Sequence, residues 1–324
     1  MWKQRACVQW LAEGDKNTKF FHMKACQRRQ RNEIWGLFDT KNQWVGSQAE
    51  IKQLTVNYFE QIFTTSRPNQ VREEARAIQA KVTREMNMQL CREFTADEIH
   101  KALHQMHSTK ALGPDGMSTL FFQKYWALIG TEVTKNVLQI LNTTASPKDF
   151  NKTNIALIPK TKTPQRMTEF RPISLCNVTY KLISKVLANR LKSVLPNIIS
   201  KNQSAFVPGR IITNNALVVF EVMHYLQQKR TGKDTYMAFK LDMSKAYDRV
   251  EWVFIEHIMH QLGFLRPVDL TYYEMHLNCT ILNGEPCGTI IPSRGLHQGD
   301  PLSPYLFLLC AEGFSSLLTE AENQ

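Results

Sequence analysis

The sequence predicts an α+β chain that combines amphipathic helices with a few short strands. Residues 179–199 carry apolar side chains at helical spacing, among them Ile183, Val186 and Leu187. Residues 237–243 alternate apolar and polar side chains, as a half-buried strand does. Asn283-Gly284 lies between two short apolar runs, which is typical of a β-hairpin turn.

The bulk composition is that of a folded, basic protein. The 324 residues are enough for two or three packed subdomains, and 43% hydrophobic with 21% charged residues argues against a largely disordered chain. Lys and Arg number 40 against 29 acidic residues, for a net charge of +11. Such a surplus is typical of chains that bind polyanions, and a basic surface kept for solubility explains it equally well.

Cysteine spacing and hydropathy indicate where in the cell the protein is expected. The seven cysteines are scattered and never spaced C-x-x-C, which favours neither a disulfide framework nor a zinc site. The longest apolar run, residues 305–311, is too short to cross a bilayer, and residues 1–16 do not form a signal peptide. We therefore expect an intracellular protein without a membrane partner, and the sequence does not distinguish nucleus from cytoplasm.

The N-terminal segment is both basic and aromatic. Lys24, Arg28 and Arg31 fall at positions i, i+4 and i+7 and would line one helical face, close to Phe20 and Trp35. This pattern is typical of a nucleic-acid contact through phosphates and stacking. A solvated helix face gives the same pattern, and both interpretations stay open.

Helices are predicted over most of the following hundred residues. Thr95 and Glu98 have the spacing of a capping box, and the helix that they begin ends before the turn cluster at residues 113–116. Four aromatic residues then begin a further helix and are interpreted as core: Phe121, Phe122, Tyr125 and Trp126.

The second half of the chain mixes strands and helices. Residues 154–159 read as a strand, 215–228 as a helix, and the helix after residue 250 should stop at Gly263. In the hairpin, Pro286 should delay the return strand. Asp300 and Pro301 should open the last helix, as N-cap and first helical residue.

Two places could carry chemistry. Asp242 lies on the polar face of the predicted strand 237–243, where a carboxylate must be solvated, paired or bound to a metal, and a surface Asp is the commoner case. The loop 293–300 has two glycines and offers donors from Arg294, His297 and Gln298. With Lys160 and Arg171, these residues suit phosphoryl or nucleotidyl transfer.

Six ordered motifs make the chain recognisable. They are K-A-L-G-P-D-G (110–116), I-P-K (158–160), F-R-P-I-S-L (170–175), Q-S-A-F-V-P-G-R (203–210), K-L-D-M-S-K-A-Y-D-R-V (240–250) and G-L-H-Q-G-D-P-L-S-P (295–304). In this order and approximate spacing the chain resembles the reverse transcriptases of LINE-type (non-LTR) retrotransposons, with the plant branch closest. The segment 10–22 resembles the stretch that joins the endonuclease of that family to its polymerase. A group II intron maturase fits less well, because that segment is not expected there.

The resemblance implies a right-hand polymerase fold. It assigns residues 1–46 to a basic linker or helix, 47–150 to a helical N-terminal extension, 151–235 to fingers and 236–324 to a partial palm, with the reverse transcriptase domain at about 150–324. The palm would be an antiparallel sheet backed by helices. Phe239, Leu241 and Met243 would anchor the strand of Asp242 in the core.

The resemblance also implies roles for individual residues. Asp242 would be a catalytic, metal-binding carboxylate, and Tyr247 a steric gate that favours dNTP over NTP. Gln298 and Gly299 would lie against the incoming nucleotide and template base, Lys160 and Arg171 would bind the triphosphate, and Arg210 would contact nucleic acid. The implied partners are an RNA template, a DNA primer and dNTPs, with two Mg²⁺ ions at the site.

The chain departs from the family pattern in several places. It contains no Asp-Asp dipeptide, whereas the family has an aromatic-Ala-Asp-Asp turn after the loop at 295–304. We therefore expect the 324-residue chain to be truncated, to hold one ligand of a two-ion site, and to be inactive alone. The alternative is a non-catalytic nucleic-acid-binding remnant. His297 replaces the usual Arg, Leu112 replaces a common Pro, residues 271–279 fit poorly, and an apolar edge should be exposed.

Overall fold

The computed structural model describes residues 18–68, 75–143, 150–229, 236–265 and 277–323. Within these ranges the helices are α1 (Thr18–Asn32), α2 (Gln48–Phe63), α3 (Arg84–Cys91), α4 (Ala96–Gln105), α5 (Thr119–Lys124), α6 (Trp126–Asn142), α7 (Val178–Ile198), α8 (Ile212–Gln228), α9 (Trp252–Leu262) and α10 (Ser303–Glu322). The strands are β1 (Leu37–Phe38), β2 (Trp44–Val45), β3 (Lys152–Pro159), β4 (Phe170–Cys176), β5 (Leu277–Leu282) and β6 (Glu285–Ile290). Helices and strands together give the mixed α+β class that the sequence predicts.

A four-stranded sheet with the order β4-β3-β5-β6 forms one part of the molecule. β3 pairs antiparallel with β4, from Thr153↔Cys176 to Pro159↔Phe170, and parallel with β5. Helix α2 covers one face of this sheet. Phe59 and Ile62 of α2 share a buried cluster with Ile155 and Phe170 of the strands, because alternate strand residues point to the same face.

Helix α7 is the centre of a second, larger core. Its buried stripe includes Ile183, Leu187 and Leu191, and these share one cluster with residues of α3, α4, α6, α9 and α10. The side chain of Arg190 also binds inside this assembly, through charge-assisted hydrogen bonds to both carboxylate oxygens of Glu98, at 2.8 and 2.9 Å. The same guanidinium donates to the carbonyls of Leu90 and Glu93 and lies 3.4 Å from the centroid of the Phe94 ring.

Several local predictions are confirmed. The Thr95–Glu98 capping box is formed by both reciprocal hydrogen bonds, and α9 ends at Gly263 with φ +94°. The strand predicted at 154–159 and the helices predicted at 179–199 and 215–228 appear as β3, α7 and α8. Asn283 and Gly284 connect β5 and β6 with φ +51° and +90°, as a tight hairpin turn requires.

The predicted strand at 237–243 is wrong. These residues form no strand, and Met237, Phe239, Leu241 and Met243 are between 59% and 82% exposed rather than anchored in the core. An alternating segment becomes a strand only where a neighbouring strand supplies hydrogen bonds and another layer covers its apolar face. In the described residues, β5 occupies the edge of β3, and the apolar side chains of this segment are left without cover.

Two smaller expectations also need correction. The last helix begins at Ser303 after an N-cap at Leu302, so Asp300 is not the N-cap. The return strand of the hairpin begins directly at Glu285, and Pro286 pairs with Ile281 at an irregularity in register instead of delaying the strand. β4 was not predicted as a strand.

Two further findings concern membrane-spanning helices and the cysteines. None of the helices in the described ranges is long and apolar enough to cross a membrane. Cys26, Cys91, Cys176, Cys287 and Cys310 are free thiols. Cys7 and most of the segment 10–22 lie outside the described residues.

Candidate active site

Two loops, each from one of the last two motifs, are joined by backbone hydrogen bonds. The N–H of Gly295 donates to the carbonyl of Val250 at 2.7 Å, and the N–H of Leu296 donates to that of Tyr247 at 2.8 Å. The indole N–H of Trp252 donates to the Gly295 carbonyl at 2.8 Å. A Cβ at Gly295 would lie 2.9 Å from the Asp248 carbonyl oxygen, so glycine is what allows this approach. The turn at 244–250 and the loop at 293–300 therefore form one unit.

The same loop runs along the free edge of β4. The N–H of Ser174 donates to the Gln298 carbonyl at 2.8 Å, across the edge that has no strand partner in the described sheet. Gly299 has φ +113°, and a Cβ there would lie 3.0 Å from the Ser174 carbonyl oxygen. This contact holds Gln298 and Gly299 beside the strand that begins with Phe170 and Arg171.

The end of the loop is fixed to α7 by a buried carboxylate. Asp300 accepts hydrogen bonds from the Ser184 hydroxyl and, at 3.2 and 3.0 Å, from the backbone N–H and hydroxyl of Ser303. Burial raises the pKa of Asp300, and these hydrogen bonds partly oppose the rise. Asp300 thus has a structural part in positioning the loop, although it does not cap α10.

Two of the three donors that the loop offers, Arg294 and His297, are held within the fold. Arg294 donates to the Ile62 carbonyl at 2.7 Å and pairs with Glu251 at 3.1 Å. His297 is buried near the Tyr180 ring, and burial lowers its pKa to about 4. Arg294 and His297 therefore serve the packing of the loop.

Tyr247 is half-buried in the first of the two loops. Its ring stacks on Phe307 of α10 with a centroid distance of 4.7 Å, and burial raises the pKa of its phenol. Its position is set by the 3₁₀ turn at Tyr247–Arg249 and by the Leu296 hydrogen bond. A planar side chain that stacks on a second ring, on a backbone fixed by a hydrogen bond, is suited to a steric role.

Three cations gather at the end of the β3–β4 hairpin. Lys160 follows β3, and its ammonium group donates to the Thr168 carbonyl at 3.0 Å. Arg171, on β4, pairs in register with Ile158 and is exposed. Lys245 reaches the same place from the first loop, because its ammonium group donates to the Phe170 carbonyl at 3.3 Å. Lys160 and Arg171 were predicted from the sequence, and Lys245 was not.

Lys245 and Asp248 form the most unusual part of this region. Lys245 has φ +57°, a strained conformation for a residue with a side chain, and its ammonium group lies 5.6 Å from the Tyr58 ring centroid. Asp248 is 1% exposed, and Oδ2 has no hydrogen-bond partner among the described residues. Burial raises the pKa of Asp248, while the charges of Lys245, Lys160 and Arg249 act in the opposite direction. Burial and Asp248 together raise the pKa of Tyr58 to about 12.

Asp242 lies outside this cluster. It is exposed and belongs to the segment 236–243, which forms no strand. The described residues contain no group of three or more His, Cys, Asp or Glu side chains that could hold a metal ion. The role of Asp242 as a metal ligand therefore stays a prediction.

The residues predicted to contact nucleic acid fall in two segments of the chain, three of them on α1 and one after α7. Lys24, Arg28 and Arg31 are exposed on α1. Arg210 donates to four backbone carbonyls at the end of α7, those of Pro196, Ile199, Ser200 and Gln203. This bonding gives Arg210 a structural role, and its contact with nucleic acid stays a prediction.

Lys245 and Asp248 were missed although they lie inside the quoted motif at 240–250. Their signal was available, since a lysine and a second aspartate flank Tyr247 closely in sequence. The alternating pattern of residues 237–243 favoured Asp242 as the candidate instead.

Comparison with known proteins identifies a family for the region that contains this site. A model of the family "Reverse transcriptase (RNA-dependent DNA polymerase)" matches residues 158–324, which include both loops and the three cations. The chain is 27% identical over 321 residues to the Transposon TX1 uncharacterized 149 kDa protein of Xenopus laevis, covering 97% of this chain and 24% of that protein. It is 30% identical over 200 residues to a retrovirus-related Pol polyprotein from a type-2 retrotransposable element of Drosophila melanogaster, covering 61% of this chain and 18% of that protein.

A shorter match lies in another organism. The chain is 61% identical over 44 residues to an uncharacterized mitochondrial protein of Arabidopsis thaliana, covering 14% of this chain and 36% of that protein. The chain spans about a quarter or less of the two long transposon proteins above. The family match extends over about half of the chain and agrees with the six ordered motifs. The chain therefore belongs to the reverse transcriptase family, in its non-LTR retrotransposon branch.

Proposed function

We propose that this chain takes part in RNA-directed DNA synthesis, by binding a dNTP against an RNA template and a DNA primer. The observation that carries the proposal is the position of three cationic residues, Lys160, Arg171 and Lys245, at the start of β4, beside the two joined loops. Three cations at one strand end match the charge of a triphosphate. The two loops adjoin β4 at two places, the first through Lys245 at Phe170 and the second through Gln298 at Ser174.

Each residue has a distinct part in this proposal. Arg171, which is exposed, binds phosphate oxygens bidentately, and Lys160 and Lys245 add point charges. Tyr247 occupies the space that a ribose 2′-OH would need and so favours dNTP over NTP. Gln298 and Gly299 lie against the incoming nucleotide and the template base. Lys24, Arg28, Arg31 and Arg210 contact the nucleic-acid backbone.

Divalent metal ions belong to this family's chemistry, and we propose Mg²⁺, with Asp242 as its first protein ligand. Bound Mg²⁺ would activate the primer hydroxyl and stabilise the leaving pyrophosphate. The described residues contain no cluster of carboxylates around Asp242. The roles that we propose for the other residues are therefore confined to binding and orientation.

The finer architecture is part of the same proposal. Residues 151–235 correspond to fingers and 236–324 to part of a palm, preceded by a helical extension at 47–150 and a basic segment at 1–46. The reaction would take place inside the cell, in the nucleus or the cytoplasm.

A ternary-complex assay tests this function. A fluorescent RNA template annealed to a dideoxy-terminated DNA primer is titrated with the chain in Mg²⁺, with or without the next complementary dNTP. We expect the complementary dNTP to tighten binding and a non-complementary dNTP to have no effect. Equal effects of the two nucleotides, or no effect of either, would overturn the proposal.

Single substitutions test which residues the dNTP response depends on. Arg171→Gln should weaken the response to dNTP about tenfold, because it removes a charge-assisted phosphate contact. Lys152→Gln is the matched control, since Lys152 is also exposed but lies at the opposite end of β3. Asp242→Asn should reduce the dNTP response in Mg²⁺ while leaving the binding of the hybrid unchanged.

A further inference from the structure

A basic groove lies on the side of α7 that faces α3 and α4. Its volume is about 560 Å³. Five of the lining residues are cationic and one is acidic: Arg92, Lys101, Lys185, Arg190, Lys192 and Glu98. None of its lining residues belongs to the two loops or the strand ends of the candidate active site.

The single acidic residue of the groove is already neutralised. Each carboxylate oxygen of Glu98 accepts a hydrogen bond from the Arg190 guanidinium. The other N–H groups of that guanidinium donate to backbone carbonyls, among them those of Leu90 and Glu93. Arg92 lies 3.8 Å from Glu98 and is largely exposed. Lys101, Lys185 and Lys192 have no ion pair with any residue that the structure describes. The groove therefore keeps an uncompensated positive charge.

Two of the three lysines lie on α7 and the third lies on α4. Lys185 and Lys192 are seven residues apart on one face of α7, about 10 Å along the helix axis at 1.5 Å per residue. Lys101 projects from α4 on the other side, one turn before Gln105. An axial length of about 10 Å corresponds to about three nucleotides of one strand in a duplex.

The electrostatics of the groove favour the binding of an anion. Burial lowers the pKa of Lys185, and the charges of Lys192 and Lys110 lower it further. Like charges held this close repel each other, and an anion between them would relieve that repulsion. The remaining lining residues are mostly neutral hydrogen-bonding side chains, including Gln89, Asn189 and Ser193. Among the described residues that line the groove there is no aromatic side chain for base stacking.

We propose that this groove binds the phosphate backbone of a polynucleotide, at a site separate from the candidate active site. Lysines supply the charge, and amide and hydroxyl groups bond to phosphate or sugar oxygens without reading bases. Binding is independent of base sequence, because the described lining offers no ring to stack on a base. RNA and DNA present the same phosphate chemistry here, and experiment separates them.

Acetylation footprinting tests the site without any variant. The full chain is treated with an acetylating reagent with and without a 20-nucleotide RNA, and each lysine is quantified by mass spectrometry. We expect protection of Lys101, Lys185 and Lys192. Lys41 and Lys135, exposed in the β1–β2 turn and on α6, should react equally in both samples. Uniform protection of all five lysines would show non-specific coating and overturn the proposal.

Two triple variants that lose the same charge measure how much the three lysines contribute to RNA binding. Lys101→Gln/Lys185→Gln/Lys192→Gln should weaken RNA binding about tenfold or more, and make the plot of log K against log salt shallower by about 2. The control Lys41→Gln/Lys135→Gln/Lys152→Gln removes the same charge and should change both quantities little. Equal losses in the two triple variants contradict a defined groove. Lys101→Arg/Lys185→Arg/Lys192→Arg should keep the affinity, which guards against a loss caused by misfolding.

Competition binding experiments identify which anion the groove binds. Unlabelled RNA and single-stranded DNA, added separately, should both displace labelled RNA from the chain, and their relative strength shows which polynucleotide the groove prefers. If inorganic phosphate displaces RNA at equal phosphate concentration, the site recognises a small anion and the proposal is wrong. The groove variant should keep the dNTP response of the ternary-complex assay, so the two proposals can fail independently.

Discussion

The ring of Tyr247 lies flat against the ring of Phe307, with centroids 4.7 Å apart and planes inclined by 16°. Tyr247 belongs to the turn after Asp242, and Phe307 belongs to the second turn of α10, so the stack joins two residues that are 60 positions apart in sequence. A phenol held in this way keeps one orientation. The proposed discrimination against a 2′-OH depends on that orientation.

Phe307→Ala should therefore act on both stability and selectivity. Loss of a half-buried ring and its stacking partner should cost about 1–3 kcal/mol in the free energy of unfolding. In the ternary-complex assay the preference for dNTP over NTP should fall, because the Tyr247 ring gains freedom. Phe314→Ala is the control on the same helix, where the ring is 40% exposed. An unchanged preference in the Phe307 variant would argue against Tyr247 as a gate.

Gly299→Ala should disturb the edge of β4. A Cβ there meets the Ser174 carbonyl at 3.0 Å, and φ +113° is unfavourable for any side chain, so a cost of about 1–3 kcal/mol is expected in urea unfolding. The dNTP response should also weaken. Gly116→Ala separates backbone strain from contact, because Gly116 has φ +69° and a Cβ added there would meet nothing within 4 Å. Equal losses in both variants would show that the Ser174 contact adds nothing.

His297 should make the fold sensitive to acid. Burial lowers its pKa from 6.5 to about 4, so the folded state favours the neutral imidazole. The stabilisation is complete above pH 6.5 and is lost as pH falls through 6.5 towards 4, by about 3 kcal/mol in total. Chemical unfolding at pH 7 and pH 4 measures the loss. His297→Gln should reduce this difference, and the exposed His107→Gln should not. A His297 variant with the same pH dependence as the parent chain contradicts the assignment.

The apolar face of α8 should bind hydrophobic dyes. None of its residues is buried, and Phe220, Leu217 and Val219 are 60–71% exposed. Phe220→Gln should lower the fluorescence of bound anilinonaphthalene sulfonate and reduce concentration-dependent self-association. The unfolding free energy should change by less than about 0.5 kcal/mol, as for surface substitutions in general. A larger loss of stability would mean that this helix packs against another part of the molecule.

Local sequence signals predicted the elements whose causes are local. The Thr95–Glu98 capping box, the Gly263 stop and the Asn283-Gly284 turn depend on residues a few positions apart, and the structure contains all three. Helix α7 was predictable because its buried stripe is long and regular.

Strand pairing was harder, because it depends on partners distant in sequence. Residues 237–243 have the alternation of a strand and remain unpaired, while β4 pairs with β3 despite Pro172 within it. Pro172 lies on an end strand of the sheet, where a missing N–H is tolerated. No local rule distinguishes these two cases.

The candidate site was predicted in part. The motifs identified Lys160, Arg171, Tyr247, Gln298 and Gly299, and the structure brings their segments together around β4. The burial of Asp248 and the strained backbone at Lys245 could not be predicted from the sequence, since both follow from packing against α2 and the second loop.

The bonding of Arg190 has a consequence for how this chain should be divided. The family match begins at residue 158, yet Arg190 of α7 binds Glu98 and the carbonyls of Leu90 and Glu93, and one core contains residues from Ile78 to Cys310. A fragment that begins at residue 158 would leave this guanidinium and the stripe of α7 without their partners, facing water. The stretch that the family model matches is thus smaller than the stretch that shares one core.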